Sequence, residues 1–483
     1  MEMKPLNIVL VNPRCDPRGL MGRHEDTMVP IPPLGVACIA AVLSRDGHNV
    51  SVLDQYAEKL DNAGTVLRIA GLRPHLVGFS CLTPAMATVK DLARKLRGAL
   101  PGVKIVLGNI HASVFAEALL QQGVCDFVVH GEGENAVSGL ARALSRDEMP
   151  LNVPGISLLE NGKPVFTGPP VQVADLDSLP YPAWHLMPVS AYRAHPISGV
   201  SGILLPVQAG RGCPHRCAFC SQNAMFKGVR ARRIESVVDE IEHLADHYGL
   251  SQFGFEDSIF PLTKADGLAF CEEMRRRGLH RRLQWFTEIR VDMADLELFR
   301  AMKEAGLVML LFGIESADEK ILAHCGKTIT PEQSRRAVEL AKKARLRTLG
   351  LYILGLPGET RESAWKTIRF ALEVDTDFAK FNIAVPYPGS PFFENWRKGR
   401  GEDLDYHKFT SWFLPRKGEH LLHVPDGMSQ EELLWFQQAA MAGFWLRPSK
   451  ILRHLAKGTI SPSVMWKGFR ALLGGVYDSA RRI

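Results

Sequence analysis

Three of the nine cysteines stand within eight residues of one another, in the run GRGCPHRCAFCS. Cys213, Cys217 and Cys220 have C-x3-C-x2-C spacing, so a single loop can present three thiolates. Such a loop can bind three irons of a [4Fe-4S] cluster and leave the fourth iron open to another ligand. The alternative is a zinc site that combines these cysteines with His215 or a distant ligand. Zinc sites usually add a second pair of ligands to a C-x2-C pair, and the sequence shows no such pair, so the spacing favours a cluster.

This spacing, with the aromatic Phe219 before the last cysteine, resembles the motif of the radical S-adenosylmethionine (SAM) superfamily. The resemblance implies that the three cysteines are metal ligands and the catalytic centre, and that SAM chelates the open iron through its amino and carboxylate groups. It further implies reductive cleavage of SAM to a 5′-deoxyadenosyl radical, which abstracts hydrogen from a substrate. A reductant such as flavodoxin or ferredoxin is then expected to supply the electron.

Further motifs follow the cysteines in the order of that superfamily, over about 190 residues. They are FGFEDS, EIRVD, FGIES, GLYILGLPGET and PYPGSP. The resemblance implies that their polar groups hold the SAM amino group, carboxylate and ribose, and that their glycines let the backbone approach adenine. For Glu256 and Asp257 a solvated strand end is the alternative. The residues that the resemblance assigns to SAM are Phe219, Glu256, Asp257, Arg290, Glu315, Ser316, Gly355, Pro386 and Tyr387.

The elements that must position these motifs alternate between apolar strand patterns and helical patterns from Gly202 onward. Six strands alternating with helices predict a partial (β/α)6 barrel of the TIM type over residues 199–400. The reactive loops of such a barrel lie at the C-terminal ends of its strands. Beyond Arg400 the pattern predicts a helical, basic C-terminal region over residues 401–483.

The first 150 residues also alternate continuous apolar runs, such as LNIVLVN and VKIVLG, with helical patterns. Apolar strands separated by helices indicate a parallel sheet covered on both faces, which predicts an α/β, doubly wound (Rossmann-like) domain over residues 1–150. Its ligand crevice is expected at the carboxyl ends of the strands. A proline-rich stretch with the run DSLPYPAW follows, and it predicts a linker over residues 151–198.

This N-terminal domain resembles the cobalamin-binding domain of the cobalamin-dependent radical SAM proteins. The resemblance rests on NPR after strand one, PPLG opening helix one, GEGE after strand five, and the spacing of Ser80-x-Leu82 from Gly108. In cobalamin folds such hydroxyl-bearing and small residues admit the nucleotide tail of the cofactor. The residues that the resemblance assigns to cobalamin are Asn12, Arg14, Ser80, Leu82, Thr83, Gly108, Asn109, His111, Gly131 and Glu132.

The sequence departs from the cobalamin mutases in one respect. Those proteins supply a lower cobalt ligand from D-x-H-x-x-G after strand one, whereas the loop NPRCDPRG has no histidine. The resemblance implies cobalt without a protein histidine ligand, with Arg14, Cys15 or Asp16 near that face. His111 follows strand four, and a loop histidine that is satisfied within the protein is the alternative to a cofactor contact. Some relatives carry this domain without using cobalamin.

Together these resemblances predict an enzyme that uses methylcobalamin to methylate an unactivated carbon, or a phosphorus, of a small-molecule or lipid substrate. One SAM would supply the methyl group and another the radical. The first alternative is a radical rearrangement or cyclisation without methyl transfer, as in the similar anaerobic magnesium-protoporphyrin monomethyl ester cyclase. A second is a non-catalytic carrier of an iron-sulfur cluster or cobalamin.

Charge and cysteine usage bear on location and partners. Residues 446–483 carry a net charge of +7, with eight Lys or Arg against the single acid Asp478, so the rest of the +6 chain sums to about −1. The run VMWKGFRALLGGVY over 464–477 suggests a helix lying on an anionic membrane, and a helix packed across the barrel is the alternative. Few, scattered cysteines and no apolar run near ~20 residues predict a cytoplasmic protein. Nucleic acid is not expected as a partner, because Cys15, Cys38, Cys81 and Cys125 are spaced unlike the second cluster of tRNA methylthiotransferases.

Overall fold

The computed structural model describes residues 4–15, 30–194, 202–400, 404–411, 413, 415 and 418–456. The predictions for Asp16 and for the run over 464–477 lie outside these residues.

The N-terminal sheet has seven strands in the spatial order β2-β1-β3-β4-β5-β6-β7. The first five strands are parallel to one another, as predicted for a doubly wound domain. The order 2-1-3-4-5 places a topological switch point between β1 and β3, where such sheets bind ligands at their carboxyl edge. The strands are β1 (Asn7–Asn12), β2 (Asn49–Asp54), β3 (Leu76–Ser80), β4 (Lys104–Gly108), β5 (Phe127–Val129), β6 (Ile156–Glu160) and β7 (Lys163–Phe166).

Alternation along β1 explains why helices cover both faces of this sheet. Ile8 and Leu10 join one apolar core, while Val9 and Val11 join a second core on the opposite face. A strand buried on both faces reads as a continuous apolar run, which is the pattern seen in the sequence. The helices of this half are α1 (Leu34–Arg45), α2 (Asn62–Gly71), α3 (Met86–Ala99), α4 (Ile110–Val114), α5 (Ala116–Gln121) and α6 (Glu134–Leu144).

The structure differs from the predicted linker over residues 151–198 in the first part of that segment. There β6 pairs antiparallel with β5, and β7 pairs antiparallel with β6, so the sheet continues to Phe166. Ile156 and Leu158 are fully buried in the core. The run DSLPYPAW comes after this hairpin and forms only short turns, because its prolines interrupt regular hydrogen bonding.

The second sheet confirms the predicted half-barrel, with six strands neighbouring one another in chain order. All neighbours are parallel, and helices connect them. The strands are β8 (Ile203–Val207), β11 (Leu250–Phe255), β12 (Gln284–Ile289), β13 (Leu307–Glu315), β14 (Arg347–Leu354) and β15 (Phe378–Ile383). A separate two-stranded ladder consists of β9 (Gly210–Arg211) and β10 (Arg230–Ala231). The helices are α7 (Gln222–Met225), α8 (Ile234–Tyr248), α9 (Lys264–Arg276), α10 (Leu296–Glu304), α11 (Glu319–His324), α12 (Pro331–Lys343), α13 (Arg361–Val374) and α14 (Pro391–Trp396).

Side chains alternate between the helices and the barrel lumen along each strand. On β12, Trp285 and Ile289 are buried in the core shared with the helices, whereas Glu288 between them is accessible to water. On β11, a Cβ atom at Gly254 would meet the Phe286 ring at 2.3 Å, so both residues face the lumen. The lumen is therefore apolar around Phe286 and polar toward the carboxyl ends of the strands.

The C-terminal region packs on the barrel through helices α15 (Gln430–Trp445) and α16 (Pro448–Ala456). Three basic residues of the predicted basic tail, Arg447, Lys450 and Arg453, each lie 2.7 Å from the carboxylate of Asp375. Lys450 is only 1% exposed. The described part of the tail thus packs against the barrel. Among the described residues, no helix combines the length and the apolar character that crossing a membrane requires.

Candidate functional site

The three cysteines lie on one loop that begins after β9 and ends before β10, at the carboxyl end of β8. Cys213, Cys217 and Cys220 are half-buried and free of disulfide bonds. Gly212 adopts φ +91°, and a Cβ atom there would lie 1.8 Å from the carbonyl oxygen of Gly228. Only glycine fits such a close approach, so the two ends of the loop meet at a narrow neck.

The middle of the loop is fastened to the barrel on two sides. The amide of Ala218 donates to the carbonyl of Cys325 at 2.8 Å, and the amide of Phe392 donates to the carbonyl of Ala218 at 2.8 Å. Phe219 packs against an apolar cluster that includes Ile321 and Leu356. Phe219, which the sequence assigned to the SAM site, therefore also anchors the loop.

The thiols face charged groups at the ends of the barrel strands. Burial raises the pKa of Cys217, and the ammonium group of Lys327 lowers it in part. Burial also raises the pKa of Cys220, with Glu288 and Glu315 contributing in the same direction. In the described ranges, no three His, Cys, Asp or Glu side chains converge on a single-ion position. A [4Fe-4S] cluster does not require that convergence, because each cysteine binds a different iron.

A buried ion pair lies over Gly313, close to the thiols. Lys327 Nζ is 2.7 Å from Glu315 Oε1, and both side chains are 9% exposed. A Cβ atom at Gly313 would lie 2.7 Å from Glu315 Oε1, 2.9 Å from Lys327 Nζ and 3.6 Å from Glu288 Oε1. Glu315 follows a bulge in β13 and has φ +62°, a strained conformation for a residue with a side chain. Strain of this kind is typical of functional sites.

Glu288 and Lys327 are lumen residues that the sequence analysis missed. Desolvation by the surrounding barrel atoms raises the pKa of Glu288 to about 7, although its side chain is accessible to water, and the Glu315 carboxylate adds to the rise. Its alternation with the buried Trp285, Thr287 and Ile289 is the signal that could have revealed it. Lys327 lies in a loop after α11, where no periodicity marks it.

The predicted SAM residues Glu256 and Asp257 have different surroundings. Glu256 is accessible in the lumen and makes no side-chain hydrogen bond within the described part of the chain. Asp257 accepts the amide of Ala209 at 2.9 Å and also the amide of Gly210, so it supports the segment that leads into the cysteine loop. Burial raises the pKa of Asp257 to about 8, although these amides oppose the rise.

Three of the remaining predicted SAM residues make contacts within the protein. Arg290 Nη2 donates to Asp292 Oδ2 at 2.7 Å, and the fully buried Ser316 hydroxyl lies 3.1 Å from Thr367 Oγ1. Gly355 has φ +85°, and its missing Cβ leaves room for Leu433 of α15.

Pro386 and Tyr387 belong to the loop after β15, on the same side of the barrel. The phenol of Tyr387 accepts the amide of Ser411 at 3.1 Å, and its carbonyl lies 3.5 Å from the hydroxyl of Ser221, next to Cys220. The structure therefore brings this predicted loop beside the cysteines.

Four of the predicted cobalamin residues meet at the carboxyl ends of β3 and β4. Asn109 Nδ2 donates to Ser80 Oγ at 3.2 Å, and the imidazole Nδ1 of His111 lies 3.1 Å from Thr83 Oγ1. His111 is 1% exposed, and burial lowers its pKa to about 3. His111 therefore makes its contacts within the protein, as the alternative to a cofactor contact expects. A Cβ atom at Gly108 would meet nothing within 4 Å, so the space in front of the β4 end is open.

The other predicted cobalamin residues border this edge. Asn12 ends β1, the amide of Arg14 donates to Gln55 Oε1 at 3.0 Å, and Leu82 is 49% exposed. Gly131 has φ +60° and lies near Met225, which follows the cysteines. Glu132 differs from the rest, because its carboxylate is bound by Arg211, Arg230 and Gln172.

The carboxyl edge of the N-terminal sheet lies against the cysteine loop. A Cβ atom at Gly389 would lie 2.7 Å from Ile110 Cδ1 and 2.9 Å from Ala224 Cβ. Ile110 follows β4, and Ala224 comes four residues after Cys220. The two predicted cofactor sites are therefore neighbours in space.

Two family models match this chain. The B12 binding domain model covers residues 28–141, and the radical SAM superfamily model covers residues 207–371. The first range contains β2 to β5 of the N-terminal sheet and leaves out β1, β6 and β7, and the second runs from the end of β8 into α13.

Among curated proteins, an uncharacterized methyltransferase of Pyrococcus horikoshii is 33% identical over 460 residues, which cover 94% of this chain and 95% of the relative. The anaerobic magnesium-protoporphyrin IX monomethyl ester cyclase of Cereibacter sphaeroides is 30% identical, over 78% of this chain and 62% of the relative. Among solved structures, the radical SAM methyltransferase TsrM of Kitasatospora setae has a TM-score of 0.70 at 20% identity, covering 92% of this chain and 90% of that one. That likeness shows a shared fold.

Proposed function

Because this chain belongs to the radical SAM enzymes that carry an N-terminal B12-binding domain, we propose that it methylates a small-molecule substrate at an unactivated carbon or a phosphorus. The enzyme uses a [4Fe-4S] cluster, SAM and cobalamin. Relatives whose names state methyl transfer include the Pyrococcus horikoshii protein and a hopanoid C-3 methylase of Methylococcus capsulatus.

The observation that carries this proposal is the contact between the carboxyl edge of the N-terminal sheet and the cysteine loop, where the two cofactor sites are predicted. Gly389, Ile110 and Ala224 meet where the end of β4 faces the cysteine loop. Methyl transfer between cofactors needs this proximity, because the reacting atoms must approach to about 3–3.5 Å. A protein that merely carried one of these cofactors would not require the arrangement.

The described residues fit the three cofactors. Cys213, Cys217 and Cys220 would hold the cluster, since they are free, half-buried and on one loop. The open space before Gly108 would admit the cobalamin tail beside Ser80. When bound, the cluster with SAM supplies a 5′-deoxyadenosyl radical and cobalamin supplies a transferable methyl group.

The chain's own residues have three tasks in this proposal. Arg290, Glu315 and the accessible Glu256 would orient the polar groups of SAM at the ends of β11, β12 and β13. Apolar residues around Phe286 would exclude water from the radical, which protects it from side reactions. Glu288 would contact the substrate or SAM from inside the lumen, in a form that its raised pKa keeps partly protonated near neutral pH.

The test is product analysis with anaerobically reconstituted protein, a reductant, cobalamin and SAM that carries a labelled methyl group. We expect 5′-deoxyadenosine and a labelled methyl group on cobalamin, and on substrate once one is supplied from candidate lipid and tetrapyrrole pools. Cys217→Ala should form neither product. Cys271→Ala is the matched control, because Cys271 is buried under α9, away from the loop.

A radical cyclisation is the second candidate, because the cyclase of Cereibacter sphaeroides is 30% identical. It predicts 5′-deoxyadenosine in the presence of substrate and no labelled methyl group in any product. Absence of both 5′-deoxyadenosine and methyl transfer would contradict both enzymatic functions and favour a non-catalytic carrier of an iron-sulfur cluster or cobalamin.

Contact with a membrane surface stays a prediction from the basic tail. Arg447, Lys450 and Arg453 are paired with Asp375, so the hypothesis rests on the part of the basic tail that lies outside the described residues. Flotation with anionic liposomes should recover the full chain and lose a chain truncated after Ala456. Equal recovery of the two proteins would contradict the predicted membrane contact.

A further inference from the structure

The cysteine loop leaves and rejoins the body of the protein at one point. β9 and β10 pair antiparallel, with Arg211 opposite Arg230, and every residue between them belongs to the loop. The close approach of Gly212 to Gly228 tightens this neck. Because the middle of the loop is also fastened to the barrel through Ala218 and Phe219, a displacement of the neck would act first on Cys213, which directly follows Gly212.

Both arginines of the neck bind the same carboxylate. Arg211 Nη1 and Arg230 Nη1 each donate to Glu132 Oε2 at 3.0 Å, and Arg230 Nη2 donates to Glu132 Oε1. Gln172 Nε2 adds a bond to Oε1 at 3.1 Å. Arg211 also donates to Glu134 Oε1 at 2.6 Å. Glu132 thus has both oxygens occupied by protein donors.

This contact joins the two cofactor-bearing parts of the chain. Glu132 follows β5 at the carboxyl edge of the N-terminal sheet, and its side chain is 1% exposed. Paired guanidinium contacts on a carboxylate fix orientation as well as distance, and burial protects them from screening by salt. The contact is therefore suited to hold one part in register with the other.

We propose that Glu132 is a positioning residue that sets the distance between the cluster and the cobalamin by clamping the neck of the cysteine loop. This assignment replaces the cobalamin contact that the sequence implied for Glu132. It rests on the proposed function, since it requires both cofactors to be bound. A misplacement of about 1 Å between reacting groups can lower a rate by about a hundredfold, so such a clamp has a direct effect on transfer between cofactors.

The experiment compares the reconstituted holoenzyme with Glu132→Gln, which keeps the shape and removes the charge, and with Arg230→Lys. The control is Arg277→Gln, because Arg277 also binds three carboxylates but lies on the outside of the barrel. Pulsed EPR measures the dipolar coupling between cob(II)alamin and the reduced cluster, and equilibrium dialysis measures the affinity for hydroxocobalamin.

We expect Glu132→Gln and Arg230→Lys to shift or broaden the distance between the two spin centres while iron content and hydroxocobalamin affinity stay at the wild-type level. The control should match wild type in every measurement. A weakened hydroxocobalamin affinity with an unchanged distance would overturn the clamp and make Glu132 a cofactor ligand. Loss of folding in both variants would also overturn the clamp, because it would show that the contact between Glu132 and the arginines only stabilises the fold. Wild-type protein without the two EPR signals would instead refute the proposed function, and this inference with it.

Discussion

In the barrel, the side chains of Glu256 and Glu288 reach an accessible lumen and make no hydrogen bond to the described residues, whereas polar side chains at the carboxyl edge of the N-terminal sheet bond to one another. Thr83 is bonded to His111, and Asn109 to Ser80. The barrel therefore presents unsatisfied groups to SAM and substrate. The N-terminal domain instead offers cobalamin an edge of small residues and open space, such as that before Gly108. Replacement of the accessible lumen groups should thus affect chemistry first, and replacement of groups that bond within the protein should affect stability first.

The largest effect should follow replacement of a cluster cysteine. Cys213→Ala should lose bound iron and all formation of 5′-deoxyadenosine, because each of the three thiolates binds a different iron of the cluster. Cys125→Ala, a buried cysteine of the N-terminal domain, should retain both. Iron analysis and chromatography of the products make the measurement, and iron retained at the wild-type level in Cys213→Ala would contradict it.

The next largest effect concerns the Glu315–Lys327 pair. Lys327→Met leaves a buried carboxylate without its cation, so the free energy of unfolding should fall by about 3 kcal/mol. Arg361→Gln, which breaks an exposed pair with Glu432, should change the free energy of unfolding far less, because solvent screens that pair. Guanidinium unfolding gives both values, and isothermal titration with SAM should show weaker binding for Lys327→Met only. An equal loss of unfolding free energy in the two variants would show that the burial of the Glu315–Lys327 pair does not increase its contribution to stability.

A smaller, pH-dependent effect belongs to His111. Burial lowers the pKa of His111 in the folded protein from its ordinary 6.5 to about 3. At a pH between these two values, the unfolded chain binds a proton that the folded chain does not. Stability must then fall as the pH falls through this window, by about 2 kcal/mol at pH 5. His111→Gln should reduce the difference between unfolding free energies at pH 7.5 and pH 5 by that amount. An unchanged difference would show that His111 is protonated in the fold.

The smallest effect should come from Thr83→Val, which removes the hydroxyl that His111 contacts. The unfolding free energy should fall by about 1 kcal/mol, the ordinary value of one buried hydrogen bond. Formation of 5′-deoxyadenosine should be unchanged, since the Thr83 hydroxyl contacts His111 and not the cysteine loop. A selective loss of hydroxocobalamin affinity would instead show that the hydroxyl contacts the cofactor.

The fold was predictable because its strands carry local signals. Continuous apolar runs marked β1, and the alternation of apolar strand patterns with helical patterns marked the six barrel strands. The β6–β7 hairpin was missed, because its two short strands stand beside a proline-rich run that suggests a linker.

The site was predictable only where a motif is contiguous. The cysteine spacing lies within one loop, so sequence alone revealed it. Lys327 meets Glu315 through the fold, twelve residues along the chain, and Glu132 meets Arg211 seventy-nine residues away. Such pairings depend on packing between elements, which no local pattern encodes. For the same reason, the motif GEGE could not show that its first glutamate clamps the cysteine loop.

The central claim is that three cysteines hold a [4Fe-4S] cluster with one iron open to SAM. The most direct measurement is EPR of the anaerobically reconstituted, reduced protein before and after addition of SAM. The account predicts about four irons per chain and a cluster spectrum that SAM changes, because SAM binds the open iron. Protein that contains zinc in place of iron, or a cluster spectrum that SAM leaves unchanged, would contradict the account.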